Sequence, residues 1–180
     1  MLDFAITNAR IIDGLGAPAR VGSLGVKDGR LAAPGDRGGA HLGAARETVD
    51  AGGRVLAPGI VDIHTHYDAQ LTWDPFATPS AALGVTTVVI GNCGFTIAPC
   101  RPEHRDLVVR NLTHVEGMSL EALRAGINWD FETYPDYLRS LERRGSVLNV
   151  ASFVGHSSVR TWGLGEEASR AAATPPRVAE

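Results

Sequence analysis

Pro58-Gly59-Ile60-Val61-Asp62-Ile63-His64-Thr65-His66 runs from a Pro-Gly turn through a short, mostly apolar stretch into two histidines. Its length and β-branched content predict a buried strand. Side chains alternate along a strand, so His64 and His66 share a face about 6.8 Å apart. Curvature at a strand end can bring both rings onto one ion. An arbitrary pair at this spacing is usually just two surface or core histidines. Its place here, where a buried strand enters a polar mouth, favours metal ligation.

Val85-Thr86-Thr87-Val88-Val89-Ile90 predicts a second strand. Asn92-Cys93-Gly94 ends it as the histidine pair ends the first. Neighbouring strands lie about 4.8 Å apart, so a Cys93 thiolate can reach an ion held by the histidines. Thiolate with imidazole selects Zn²⁺ among common ions. The competing reading of Cys93 is a small buried side chain. Cys100 falls in the loop beyond and is expected to be inert. His156 follows a third expected strand, Val147 to Val154, and has a polar or substrate-side role as one reading. His104 and His114 on a helix and His41 in a Gly-rich loop are expected to be solvated. Asp68 either orients a ligand, contacts substrate or caps the next segment, and Glu116 is left equally open.

The rest of the chain divides in two. Residues 1–57 read as short strands and turns, including Phe4 to Thr7, Arg10 to Ile12 and a hairpin through Asp28-Gly29. Residues 58–180 alternate strands with helices, expected at Ser80 to Leu83, Pro102 to Met118, Ser119 to Leu123 and Thr133 to Arg144. That alternation implies parallel pairing and right-handed crossovers. Thr174 to Glu180 resembles the start of another helix, and three parallel strands are expected to be an incomplete sheet.

Composition narrows the function. A net charge of -3 gives no basic footprint for nucleic acid. No run of about 18 apolar residues predicts a membrane span. The N-terminus lacks a charged-then-apolar leader, so a cytoplasmic location is expected. There a Cys93–Cys100 disulfide is the weaker reading.

Two stretches carry a family resemblance: Ala57-Pro58-Gly59-Ile60-Val61-Asp62-Ile63-His64-Thr65-His66-Tyr67-Asp68-Ala69-Gln70 and Gly84-Val85-Thr86-Thr87-Val88-Val89-Ile90-Gly91-Asn92-Cys93-Gly94-Phe95. They resemble the amidohydrolase superfamily and, more narrowly, the N-acyl-D-amino-acid deacylases (D-aminoacylases). Pro99 to Arg105, Val115 to Met118, Trp129 to Pro135 and Val154-Gly155-His156 support it. Many relatives carry a modified lysine as the anionic metal ligand, so the Asn-Cys-Gly motif does the narrowing.

The resemblance implies an α/β architecture: a (β/α)₈ barrel of which residues 58–180 supply about three of eight units, preceded by part of a small β-sandwich in residues 1–57. It implies Zn²⁺ on His64, His66 and Cys93, and hydrolysis of a small N-acyl-D-amino acid. The family's remaining ligands, two histidines, and its acid/base aspartate sit on later strands with no counterpart here. The chain by itself is therefore expected to be without turnover. A hydantoinase-like or dihydroorotase-like activity is the runner-up among enzymes, and Cys93 argues against it. A non-catalytic fragment that binds metal or a partner is the alternative from another class.

Overall fold

The computed structural model describes residues 1–32 and 42–174. The expected loop position of His41 and the helix start at Thr174 to Glu180 fall wholly or mostly outside them, as does the Glu116 side chain. The chain forms two compact units, Met1–Pro58 and Gly59–Glu180.

The first unit is a sheet of β1 (Leu2–Ile11), β2 (Arg20–Lys27), β3 (Arg30–Ala32), β4 (Ala45–Asp50) and β5 (Val55–Leu56). Its order is β3-β2-β1-β4, with β5 also on β1. β1 pairs antiparallel with β2 and parallel with β4 and β5. The two strands expected at Phe4 to Thr7 and Arg10 to Ile12 are one. Its register shifts between Ile6 and Ala9, where Asn8 takes a φ of 51°. Asparagine tolerates the left-handed region, and a bulge absorbs the irregularity without ending the strand. Asp28 (φ 50°) and Gly29 (φ 70°) form the hairpin turn, as Asp-Gly in a two-residue loop favours. The Asp3 carboxylate accepts the Asp28 N–H at 2.7 Å and a hydrogen bond from Lys27 Nζ at 3.3 Å. Those two bonds hold its pKa below the usual carboxylate value.

The second unit is mixed α/β. Strands β6 (Ile60–Asp62), β7 (Val85–Ile90) and β8 (Asn149–Ser152) form a parallel sheet in that order. Between β6 and β7 lie two 3₁₀ turns, Gln70–Thr72 and Ala81–Leu83. The second is the helix expected near Ser80, and Gly84 closes it at φ 88°. Between β7 and β8 come α1 (Arg105–Glu116), α2 (Leu120–Gly126) and α3 (Tyr134–Arg144). The helix expected from Pro102 opens instead with a 3₁₀ turn, Pro102–His104, and becomes α-helical only after His104, whose φ of -100° and ψ of 0° are not helical.

After β8 comes α4 (His156–Leu164), a helix that the sequence reading did not assign. The strand expected over Val147 to Val154 is correspondingly shorter. Val88, Ile90, Ile97, Leu112, Leu123 and Tyr137 centre the core that joins sheet to helices. Among the described residues no helix is long and apolar enough to cross a membrane.

Helix α3 begins with a capping box: the Thr133 hydroxyl accepts the Asp136 N–H, and the Asp136 carboxylate accepts the Thr133 N–H. Both orphan donors are satisfied reciprocally. Replacing Thr133 by alanine should lower the unfolding free energy by about 1 kcal/mol. Urea titration of the variant beside the parent checks this, and an unchanged midpoint would show that the cap contributes nothing.

Candidate metal centre

His64 and His66 follow β6, and the residue between them anchors them. Thr65 is buried, and its N–H and hydroxyl both donate to the Val89 carbonyl of β7, at 3.1 and 2.8 Å. The strand expected to run to Ile63 ends at Asp62, so it is this anchoring of Thr65 to β7, with His64 and His66 on either side of it, that fixes the segment. Across the gap, the Asn92 amide donates to the carbonyls of Ile63 (3.1 Å) and Val89 (3.0 Å). Asn92 therefore ties the end of β6 to the end of β7.

The turn carrying Cys93 is backbone-strained. Gly91 (φ 80°), Cys93 (φ 57°) and Gly94 (φ 77°) all occupy the left-handed region. For the one residue among them with a side chain, such a conformation costs on the order of 1–3 kcal/mol and persists only where the surroundings enforce it. At Gly91 a Cβ would collide with the Phe153 carbonyl oxygen.

The result is a cluster. His64 Nε2 lies 3.0 Å from Cys93 Sγ, and His66 Nε2 lies 3.9 Å from the same sulfur. One ligand atom from each of the three residues falls within 4.8 Å of the others, the only such group of three or more His, Cys, Asp or Glu among the described residues. The imidazole centroids are 5.4 Å apart. Donors around one tetrahedral zinc stand about 3.5 Å apart, so the cluster suits a single ion after small side-chain movements.

Electrostatics point the same way. Burial, then the neighbouring His64, lowers the pKa of His66, favouring the neutral imidazole that a metal requires. His66 Nδ1 is buried with no hydrogen-bond partner among the described residues. Asp68 is fully buried. Its Oδ2 accepts the Gly91 N–H at 3.2 Å, while Oδ1 has no partner among the described residues. Burial pushes this carboxyl up to about 7, against the opposing pull of the Gly91 N–H.

The other candidates fall elsewhere. Cys100 is buried, and burial pushes its thiol up to about 12, an inert state. Both cysteines are free. His156 is exposed and opens α4; its Cβ lies beside Gly94, but it is not one of the three converging side chains. His114 is exposed, as expected. His104 is half-buried rather than solvated, its Nδ1 shielded and unpartnered among the described residues, because the turn at Gly165 packs on its ring. Sequence reasoning missed the clasps, Thr65 and Asn92. Both lie inside the quoted motifs, but their bonding depends on strand register. It also missed the seating of α4, whose Ser157 hydroxyl donates to the Gly94 carbonyl and Ser158 hydroxyl to that of Thr96.

Comparison with known proteins gives concordant matches. The model of the amidohydrolase family matches residues 47–180. The N-acyl-D-aspartate deacylase of Alcaligenes xylosoxydans xylosoxydans is 38% identical over 177 residues, 98% of this chain and 32% of the relative. A crystal structure of D-aminoacylase superposes with a TM-score of 0.78 at 33% identity, covering 99% of this chain and 34% of the other. The N-acyl-D-glutamate deacylase of Bordetella bronchiseptica, solved with zinc and a phosphonate mimic of the tetrahedral intermediate, superposes with a TM-score of 0.69 at 35% identity. That match covers 98% of this chain and 34% of the deacylase. The chain thus spans about a third of the length of these relatives.

Proposed function

The chain belongs to the amidohydrolase family, and from that premise we propose that it serves zinc-dependent hydrolysis of N-acyl-D-amino acids, releasing a carboxylate and a D-amino acid. The convergence of His64, His66 and Cys93 carries the reading. Two imidazoles and a thiolate suit zinc, and Cys93 is the residue on which the resemblance to the deacylases rather than to hydantoinase-like proteins rests. The relatives supply the substrate class: N-acyl-D-aspartate for one and N-acyl-D-glutamate for another.

In this reading residues 58–180, with β6, β7, β8 and their helices, are the first units of a (β/α)₈ barrel, and residues 1–57 are part of a small β-sandwich. The parallel order β6-β7-β8 supports the barrel, as does the position of the cluster at the C-terminal strand ends, where barrel enzymes keep their sites.

Zinc bound here would supply an acidified water, with a pKa of about 7, and a Lewis acid for an amide carbonyl. The chain's own residues would hold and aim it. His64 and His66 present Nε2, and Cys93 presents its sulfur from the left-handed turn. Thr65 and Asn92 fix both strand ends, so the three donors keep their spacing when substrate enters. Among the described residues no carboxylate joins the cluster, so proton transfer is assigned to none of them.

The test is hydrolysis of N-acetyl-D-amino acids by the full chain as encoded at its native locus, before and after metal removal. We expect activity on the D and not the L series, its loss on chelation and its return with one equivalent of zinc. Turnover of hydantoins with inert acyl-D-amino acids would select the cyclic-amide reading instead, and no turnover with metal bound would select a non-catalytic role.

A further inference from the structure

The geometry points to Asp68 as a positioning residue that sets the Cys93 sulfur for the metal. The inference rests on reading His64, His66 and Cys93 as a metal centre, and it concerns a residue outside that ligand group.

Asp68 is completely buried, so substrate cannot touch it. Its carboxylate oxygen Oδ2 accepts the N–H of Gly91, 23 residues along the chain. Gly91 opens the left-handed turn, two residues before Cys93. The turn is therefore held from two sides: Asn92 ties it to the end of β6 through the Ile63 carbonyl, and Asp68 ties it to the segment that follows His66. The Asp68 backbone is itself fixed, because its carbonyl accepts the buried Tyr137 hydroxyl at 2.9 Å.

A left-handed cysteine does not hold its conformation unaided. Without an acceptor for the Gly91 N–H, the turn keeps a buried unsatisfied donor and gains a reason to relax toward right-handed φ. That relaxation swings Cβ, and the sulfur with it, away from the histidines. One side chain thus couples the segment carrying the imidazoles to the turn carrying the thiolate, in the manner of outer-shell partners that fix the geometry of metal ligands.

The test uses the full chain with cobalt in place of zinc. The sulfur-to-cobalt charge-transfer band reports thiolate ligation, and hydrogen exchange of the Gly91 amide reports the turn without any metal. Asp68→Asn keeps an acceptor oxygen; Asp68→Ala removes it. Asp68→Leu removes it while filling the space, and serves where the alanine variant does not fold. We expect the alanine and leucine variants to lose about tenfold in cobalt affinity, at the low end for outer-shell partners. Their charge-transfer band should weaken and their Gly91 exchange quicken by about tenfold, while asparagine restores all three. A folded alanine or leucine variant with the parent's band, affinity and exchange overturns the inference, as does an asparagine variant as impaired as they are. A parent chain that binds cobalt without a thiolate band overturns the metal-centre reading instead.

Discussion

Replacing Cys93 by alanine should strip the full chain of tightly bound zinc. The sulfur is the one anionic donor of the cluster, 3.0 Å from His64 Nε2 and 3.9 Å from His66 Nε2. Two neutral imidazoles left alone offer no charge to offset that of the ion. Loss of an outer-shell partner costs about 10- to 100-fold in affinity, so loss of this direct donor should cost on the order of 100-fold or more. Elemental analysis after dialysis against a mild chelator reads the result directly. The fold should survive, because Cys93 is exposed and alanine removes no buried packing. A variant that keeps one equivalent of zinc would remove Cys93 from the centre and leave the sulfur's position without a function.

The largest expected loss of stability lies elsewhere, at Tyr137. Its side chain is wholly buried in the second unit, and its ring meets Phe131 edge-on with centroids 5.0 Å apart and Tyr134 at 6.3 Å. Its hydroxyl is also the donor to the Asp68 carbonyl. Truncation to alanine should lower the unfolding free energy by about 3–5 kcal/mol, from lost burial plus the cavity left behind. Phenylalanine keeps the ring and loses only the hydroxyl, so its cost should be about 1–3 kcal/mol, for an acceptor left unsatisfied. Chemical denaturation of both variants separates packing from hydrogen bonding. Equal losses would mean that the hydroxyl, not the ring, carries the effect.

Much of this architecture can be read from local residue patterns. Gly84 stops a turn, Asp28-Gly29 closes a hairpin, and Thr133 with Asp136 opens a helix. Each of these signals lies within a few residues. The three converging side chains were legible for a similar reason: each motif ends a strand, and the two strands are neighbours. What was not legible depends on distant partners. The parallel pairing of β1 with β4 joins residues more than forty positions apart. Helix α4 has small polar residues at its start, and Ser157 and Ser158 are held by bonding to the turn after Cys93 rather than by apolar periodicity. Nothing in the amino-acid order near Asp68 announces that its carboxylate meets Gly91.

The spacing of the cluster along the chain bears on how it assembles. Cys93 stands 29 residues from His64 and 27 from His66. Bringing such segments together closes a loop of modest length, and the entropic cost rises only about 0.6 kcal/mol for each doubling of that length. The three donors therefore depend on the pairing of β6 with β7, over separations of 27 and 29 residues, whereas β7 and β8 pair across 62. An ion captured once β6 and β7 pair would lock one β-strand crossover early, and the slower long-range pairings would then form around a fixed point.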